Sequence, residues 1–408
     1  MNIRLLLAVA IGTFFQISQA EAQGCVAVRQ MGGTGMLSCN SYNMEKGQFQ
    51  LGTNYRYFHS FRHFVGTEEQ HERQNTGGGH DANGNELGDA VNIYSHALDI
   101  NFSYALSNRL QLNGTIPYVH NERSQVLKQT SPVDTFRYSV YAEGIADMRL
   151  GLNYWLFDPA TAPDANVLVG LGIKIPTGQF NATDNQVPQA DGKKKDFVLM
   201  DQAIQPGDGG WGFSVELQAF QKLFDKVYGY ANGYYMFNPR ESNGTYKSAP
   251  TVVKSPVDNT PLDTLYGYNI YASPDQYFLR AGLMTTIGHL SVSLGGRWEG
   301  IPAYDAIGGQ VAYRRPGYVI AVEPGLAYQA GNHTISLFVP FNVVRNRIQS
   351  AADIERQNIQ NSVISDPADY THVQGDAAFA DYSINVGYSY RFGGKAHPVM
   401  TNIGSTVK

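Results

Sequence analysis

Residues 382–392 read YSINVGYSYRF, and this stretch separates the two fold classes that are open to the chain. Aromatic and apolar residues alternate here with small and polar ones. Because successive strand side chains point to opposite faces, the segment predicts a β-strand with one apolar and one polar face. The apolar face would be core in a soluble sandwich, whereas in an outer-membrane barrel it would face lipid. The remaining sequence decides between these alternatives.

The first 22 residues have the pattern of an export signal. Arg4 precedes an apolar run from Leu5 to Phe15, and Ala20-Glu21-Ala22 is a small-x-small cleavage site. This order of features predicts a signal peptide over residues 1–22, followed by a periplasmic segment over residues 23–46. The chain has two cysteines, Cys25 and Cys39, and in an exported protein this pair predicts a disulfide.

The composition favours an all-β protein that is exported and weakly charged. The 408 residues include 43 glycines, 26 tyrosines and 20 phenylalanines, and 16% are charged. After the signal peptide, no stretch approaches the ~18 consecutive apolar residues of a membrane helix. The net charge of −5 argues against a nucleic-acid partner.

Twelve segments show the same period-two alternation. They cover residues 48–58, 91–106, 110–119, 141–157, 165–176, 211–223, 227–237, 276–286, 290–301, 318–329, 333–344 and 382–392. Short turns and long polar loops alternate strictly between them, as in outer-membrane barrels with short periplasmic turns and long external loops. The pattern predicts a transmembrane up-and-down antiparallel β-barrel of 12 strands over residues 47–392, in the bacterial outer membrane. Residues 393–408 would form a periplasmic tail.

The polar face of the predicted strands carries charges of both signs. The candidate pore-lining residues are Arg56, Asp99, Glu143, Asp147, Arg149, Lys174, Glu216, Arg280, Arg297, Glu299, Glu323 and Arg391. Charges inside a narrow barrel require pairing or water. This balance is compatible with a ladder that braces the wall or with a path for small polar or zwitterionic solutes, and it does not indicate an anion or cation filter.

One loop contains a spacing that is typical of calcium sites. Asp81, Asn83 and Asn85 place oxygen ligands at alternate positions, as in Asp-x-Asn-x-Asn loops. The sixth position is Glu86 instead of glycine, so an ordinary Asn-Gly turn explains the spacing equally well. The sequence predicts that the chain needs no cofactor, and calcium at this loop is the alternative.

Two neighbouring segments carry a recognisable motif. GIADMRLGLNYWL at residues 144–156 and VLVGLGIKIPTG at residues 167–178 contribute Gly144, Asp147, Gly151, Gly172, Lys174, Pro176, Thr177 and Gly178. The region resembles the outer-membrane transporter proteins grouped under the putative meta-pathway of phenol degradation. The resemblance implies a porin-like barrel and uptake of small compounds, aromatic ones among them.

Three functions therefore compete. The leading hypothesis is a channel for passive uptake of a small molecule, with outer-membrane lipid and that solute as partners. A structural barrel that displays acidic external loops is the alternative. A membrane-embedded enzyme is the third, and the lack of a nucleophile motif in the sequence argues against it. The sequence leaves the oligomeric state and the solute open.

Overall fold

The computed structural model describes residues 44–130 and 133–393. The predicted signal peptide, the Cys25–Cys39 pair and nearly all of the terminal segments lie outside the described residues. Within them, twelve strands form one closed antiparallel barrel, as predicted. Pairing of the last strand with the first, from Phe49 opposite Phe392 to Phe64 opposite Ala377, closes the barrel.

Eight strands have bounds within two residues of the alternating segments, whereas the first, third, fourth and twelfth extend 7, 11, 8 and 5 residues further at the external end. The barrel strands are β1 (Phe49–Val65), β2 (Asn92–Ala105), β3 (Leu110–Thr130), β4a (Val133–Ile145), β4b (Met148–Trp155), β5 (Ala165–Ile175), β6 (Gly212–Phe224), β7 (Val227–Phe237), β8 (Gln276–Ile287), β9 (Leu290–Ile301), β10 (Gly317–Ala330), β11a (His333–Phe338), β11b (Phe341–Asn346) and β12 (Ala377–Phe392). The fourth and eleventh strands are each interrupted once, and the two pieces are marked a and b.

The outer face of the barrel is apolar. On β12, Val386 and Tyr388 are 41% and 44% exposed, whereas Asn385 and Arg391, at odd-numbered positions of the same strand, are buried. An exposed apolar belt around a barrel with a polar interior is the arrangement of outer-membrane proteins, because lipid replaces water on the outside. This arrangement confirms that the apolar face of residues 382–392 faces lipid.

The break between β4a and β4b reverses which side chains face inward. Val140 and Ala142 are buried above the break, and Arg149 is buried below it. Ala146 and Asp147 interrupt the strand, so a single alternation from 141 to 157 is wrong. As a result, Glu143 does not face the lumen as predicted: its side chain is 58% exposed and lies 2.6 Å from His120 Nδ1 on the outer surface.

The long connections lie at one end of the barrel and contain short elements of their own. They are L1 (66–91), L3 (176–211), L4 (238–275), L5 (302–316) and L6 (347–376). L2, between β3 and β4a, spans only residues 131 and 132. L1 contains Glu68–Glu69, His71–Gln74, Gly77–His80 and Glu86–Gly88; L3 contains Thr183–Asp184, Val187–Pro188, Lys194–Lys195, Val198–Leu199 and the 3-10 turn Gln202–Ile204. L4 contains Ser242–Tyr246, Thr251–Lys254, Pro261–Leu265, Gly267–Asn269 and Ile270–Ala272; L6 contains helix α1 (Ala351–Asn361) and the 3-10 turn Pro367–Asp369.

Helices are few in the part of the chain that is described. Helix α1 begins with a capping box, in which the Ser350 side chain accepts from the Asp353 backbone and the Asp353 side chain accepts from the Ser350 backbone. No helix in residues 44–130 and 133–393 is both long and apolar enough to cross a membrane.

Candidate functional site

Loop L3 folds into the external end of the barrel. Ile204 is fully buried, and Met200 lies beside it in an apolar cluster. The wall side of this cluster comes from five strands and includes Phe64, Ile93 and Phe379. Asn121 Nδ2 on β3 also donates to Ile204 O at 3.0 Å. L3 therefore narrows the lumen from the external side, a point that the sequence leaves open.

A half-buried ion pair fixes the inner turn of L3. Asp201 accepts from Arg315 through both oxygens, at 2.6 and 2.7 Å, and caps the turn by accepting from Ala203 N at 2.9 Å. Burial alone would raise the pKa of Asp201, but the paired Arg315 guanidinium holds it well below its usual value. Asp201 is consequently charged throughout the physiological range, and the pair persists there.

The motif residues attach both ends of L3 to the barrel wall. Asp147 accepts from Gly178 N at 2.9 Å and from Asp208 N at 3.1 Å. Lys174 Nζ pairs with Asp208 and lies 3.9 Å from Asp147 Oδ2. We call Asp147, Lys174, Gly178 and Asp208 the Asp147 clamp. It explains why an aspartate and a Lys-x-Pro-Thr-Gly segment occur together in this sequence.

The clamp lies where the ladder between the fourth and fifth strands ends. The last pair of that ladder is Met148 opposite Ile175. Beyond it, Thr177 Oγ1 donates to Ala146 O at 2.8 Å and accepts from Met148 N at 2.9 Å. The Thr177 side chain thus makes hydrogen bonds that a continuous strand pair would make. The backbone groups at the interruption of the fourth strand therefore keep hydrogen-bond partners.

A cavity opens between L3, L4, L5 and the wall. Its volume is about 710 Å³ with the open mouth included. Polar and charged side chains form most of its lining, and the apolar part comes from Ala203, Pro206, Tyr271, Pro274 and Ile301. A concave, mixed lining of this kind is typical of small-molecule sites.

Below the cavity, the lumen contains a ladder of ion pairs. Arg297 lies 2.7 Å from Glu299 and 3.0 Å from Glu323, and Arg280 lies 3.1 Å from the other oxygen of Glu323. All four residues are buried. Charges removed from bulk water are tolerated here because each has a partner of opposite sign.

The other predicted pore-lining residues occupy the same wall, with the exception of Glu143. Arg56 and Asp99 lie close enough to interact electrostatically, as do Arg149 and Glu216. Arg391 lies at the periplasmic end, 3.4 Å from Gln50 Oε1. The structure therefore places eleven of the twelve residues on the inner wall or at its break, and their part in transport stays a prediction.

An aromatic cluster at the periplasmic end escaped the sequence prediction. It consists of Trp155, Leu168, Phe220, Tyr228 and Met284, all buried inside the wall, with Tyr230 packed against them. The available signal was their position, because Trp155 and Phe220 fall on the otherwise polar face of alternating strands. Glycines make room for this layer: a Cβ at Gly295 would lie 2.5 Å from Tyr230 Oη.

The candidate calcium residues form a turn. Asp81 Oδ1 accepts from the backbone N–H groups of Asn83 and Asn85, both at 2.9 Å, and Oδ2 accepts from Asn85 Nδ2 at 3.1 Å. This is the geometry of an Asn-Gly turn. No group of three His, Cys, Asp or Glu side chains in residues 44–130 and 133–393 is placed to hold a metal ion. Calcium binding stays a prediction.

Comparison with known proteins supports the fold. No family model matches the chain, and neither does any curated protein, so the resemblance to the phenol-degradation family is not confirmed at that level. Among solved structures, the COG4313 outer membrane channel from Pseudomonas putida F1 is similar at 10% identity and a TM-score of 0.50, over 87% of this chain and 100% of that one. At this identity the similarity establishes a shared outer-membrane barrel fold.

Two further solved structures are similar at lower scores. The toluene transporter TodX from Pseudomonas putida has 11% identity and a TM-score of 0.37, over 91% of this chain and 99% of that one. A FadL homologue from Pseudomonas aeruginosa has 9% identity and a TM-score of 0.37, over 85% of this chain and 89% of that one. These scores add nothing to the fold assignment.

Proposed function

We propose that this barrel is an outer-membrane channel for the passive uptake of a small organic molecule. The observation that carries the proposal is the polar, charged inner wall beneath an inward-folded loop and a cavity. An eight-stranded barrel is filled by its own side chains, whereas twelve strands enclose a wider interior. An interior that served only to support loops could be filled with apolar side chains, without the cost of burying charges.

The path we propose runs from the L3 cavity through the ion-pair ladder to the periplasmic aromatic cluster. The ladder provides donors and acceptors side by side on three neighbouring strands, β8, β9 and β10, and a narrow passage with such a lining selects by size and polarity. The resemblance to the phenol-degradation transporter family favours small compounds, aromatic ones included. The proposal assigns no enzymatic activity to the chain.

Uptake into liposomes tests the proposal. The purified protein would be reconstituted and exposed to a neutral solute, such as 1,2-propanediol, with swelling followed by light scattering and single-channel conductance recorded in parallel. We expect swelling above that of protein-free liposomes and a small, discrete conductance. The absence of both signals from correctly folded protein, as judged by circular dichroism in detergent, would refute the channel.

A loop-display barrel is the alternative that a specific observation favours. Several apolar side chains are exposed on the external loops, among them Phe197 and Tyr266 at 77% and 71%. Exposed apolar residues of this kind can contact a partner. The liposome experiment separates the two functions, because a display barrel predicts no solute-dependent swelling.

A further inference from the structure

The external cavity has an excess of cationic side chains. Four cations line it, namely Arg149, Lys174, Arg314 and Arg315, together with the two carboxylates Asp147 and Asp208. The carboxylates that pair with Arg314 and Arg315 are Asp305 and Asp201, which do not line the cavity. The surface that a solute meets is therefore more positive than the loops around it.

The lining carboxylates are already committed to the clamp. Asp147 accepts from two backbone N–H groups, and Asp208 accepts from Gly210 N at 2.9 Å and from Lys174. Lys174 lies beside both carboxylates, so a cationic ligand there would meet a like charge. The cavity therefore favours a ligand that accepts hydrogen bonds.

Donors in the cavity have capacity to spare. Arg314 uses Nη1 and Nη2 on Asp305, and its buried Nε–H has no partner in the described residues. Lys174 has three N–H donors and two carboxylate neighbours. An anion that accepted a hydrogen bond from this Nε–H would pair a donor that is otherwise unsatisfied.

One acceptor in the cavity also has no partner in the described residues. Gln276 is buried, lines the cavity and leaves its Oε1 without a donor. A ligand hydroxyl would satisfy this oxygen. The lining therefore presents an anion-binding side and, on β8, a single hydroxyl-binding atom.

The positive excess is confined to the cavity. In the wall below it, Arg280 and Arg297 face Glu299 and Glu323, so the charges there balance. A count of charges over the whole lumen, as made from the sequence, adds the cavity to the wall below it and hides the difference in charge between them. A solute entering from outside would meet the positive zone first.

We propose that this cavity binds a short hydroxycarboxylate anion, with the carboxylate among the lining cations Arg149, Lys174 and Arg314 and the hydroxyl at Gln276. The inference rests on the proposed function and narrows its substrate class. The cavity volume of about 710 Å³, with the open mouth included, has room for a ligand of this size. The apolar residues of the lining, such as Ile301, would contact the carbon skeleton.

Calorimetric titration of the folded protein in detergent with L-lactate tests the proposal. Propionate, which lacks the hydroxyl, and neutral 1,2-propanediol serve as the comparison ligands. We expect lactate to bind more tightly than propionate and 1,2-propanediol to give no measurable heat. Lactate should also reduce single-channel conductance at the concentrations at which it binds.

Three variants locate the site. Arg149→Gln should weaken lactate binding about tenfold, and Arg149→Lys should keep most of it, because the second retains the charge. Gln276→Leu should weaken lactate about threefold and leave propionate unchanged. Lys226→Gln removes a cation from the exposed turn at the opposite end of the barrel and should change neither ligand.

The outcomes separate this inference from the channel itself. If 1,2-propanediol enters liposomes while lactate gives no heat, the inference is wrong and the channel stands. Equal affinity for lactate and propionate in the wild-type protein, or lactate binding unchanged in Arg149→Gln, would also overturn it. If lactate binds as described but no solute enters liposomes, the proposed function fails and the binding site stands.

Discussion

The two ends of the lumen are narrowed in different ways. At the external end, loop L3 enters the barrel and is attached through the Asp147 clamp and the Asp201–Arg315 pair. At the periplasmic end, aromatic side chains such as Trp155 and Phe220 project from the wall strands themselves. Loop L3 can move without any change in the wall, whereas the aromatic side chains move only by rotation about their side-chain bonds.

This difference assigns the two ends different parts in transport. A loop that is attached by a few polar contacts and one apolar cluster can leave and return on the time scale of loop motion. Side chains packed in a strand wall are fixed by their neighbours, so they set a permanent minimum width. We therefore expect the external end to determine whether the channel is open and the periplasmic end to determine how large a solute passes.

The largest effect is expected from Asp147→Ala. The change leaves two backbone N–H groups without their partner and removes one of the two carboxylates near Lys174. Loss of one member of a buried polar set costs roughly 3–5 kcal/mol. L3 should become mobile, and single-channel records should show bursts at several times the wild-type conductance. Asp191→Ala, on the exposed part of L3, is the matched control and should behave as wild type. Wild-type conductance in Asp147→Ala would contradict a role for the clamp.

Gly207→Ala tests the same attachment by steric means. A Cβ at residue 207 would lie 2.5 Å from Gly178 O and 2.8 Å from Asp147 Oδ1, so the two ends of L3 must separate. We expect bursts similar to those of Asp147→Ala but less frequent. Gly296→Ala, where a Cβ meets no atom within 4 Å, controls for the loss of a glycine. Identical records for both variants would count against close packing at Gly207.

Trp155→Ala examines the periplasmic end. Removing a fully buried tryptophan should cost about 3–5 kcal/mol and lower the temperature at which the barrel unfolds in detergent. Single-channel conductance should be constant in time, without bursts, and roughly twice that of the wild type. The matched change Trp211→Ala affects an exposed residue at the start of β6 and should leave conductance unchanged. Bursts in Trp155→Ala would remove the distinction between the two ends.

The smallest effects are expected from substitution of two glutamates, Glu323 in the lumen and Glu143 on the outer surface. Glu323→Gln removes the carboxylate between Arg280 and Arg297 and should shift the reversal potential in a KCl gradient towards anions. Glu143→Gln should shift nothing, since Glu143 lies on the outer surface beside His120. A selectivity change in Glu143→Gln would restore the sequence-based placement of this residue in the lumen.

The sequence predicts the barrel well because strand alternation is a local property. The twelve strands and the lipid-facing side of Tyr388 follow from period two, but the external ends of four strands extend beyond the predicted segments. Glu143 was placed wrongly because the break at Ala146–Asp147 depends on Thr177 and Gly178, which lie about thirty residues further along the chain.

The interior was less predictable for the same reason. The inward position of Ile204 depends on contacts with five strands, and no local pattern in L3 indicates it. The separation of charge between the cavity and the ladder also requires the folded arrangement, since Asp201 and Asp305 are distant in sequence. By contrast, Trp155 stood on the polar face of a predicted strand and could have been recognised.

Single-channel recording of Asp147→Ala beside Trp155→Ala, in one membrane composition, tests the central claim most directly. The claim is that a movable loop controls the external end and fixed side chains set the width of the periplasmic end. It predicts intermittent large openings in Asp147→Ala and a steady, modest increase in Trp155→Ala. Steady wild-type conductance in the first variant, or the same pattern in both, would contradict it.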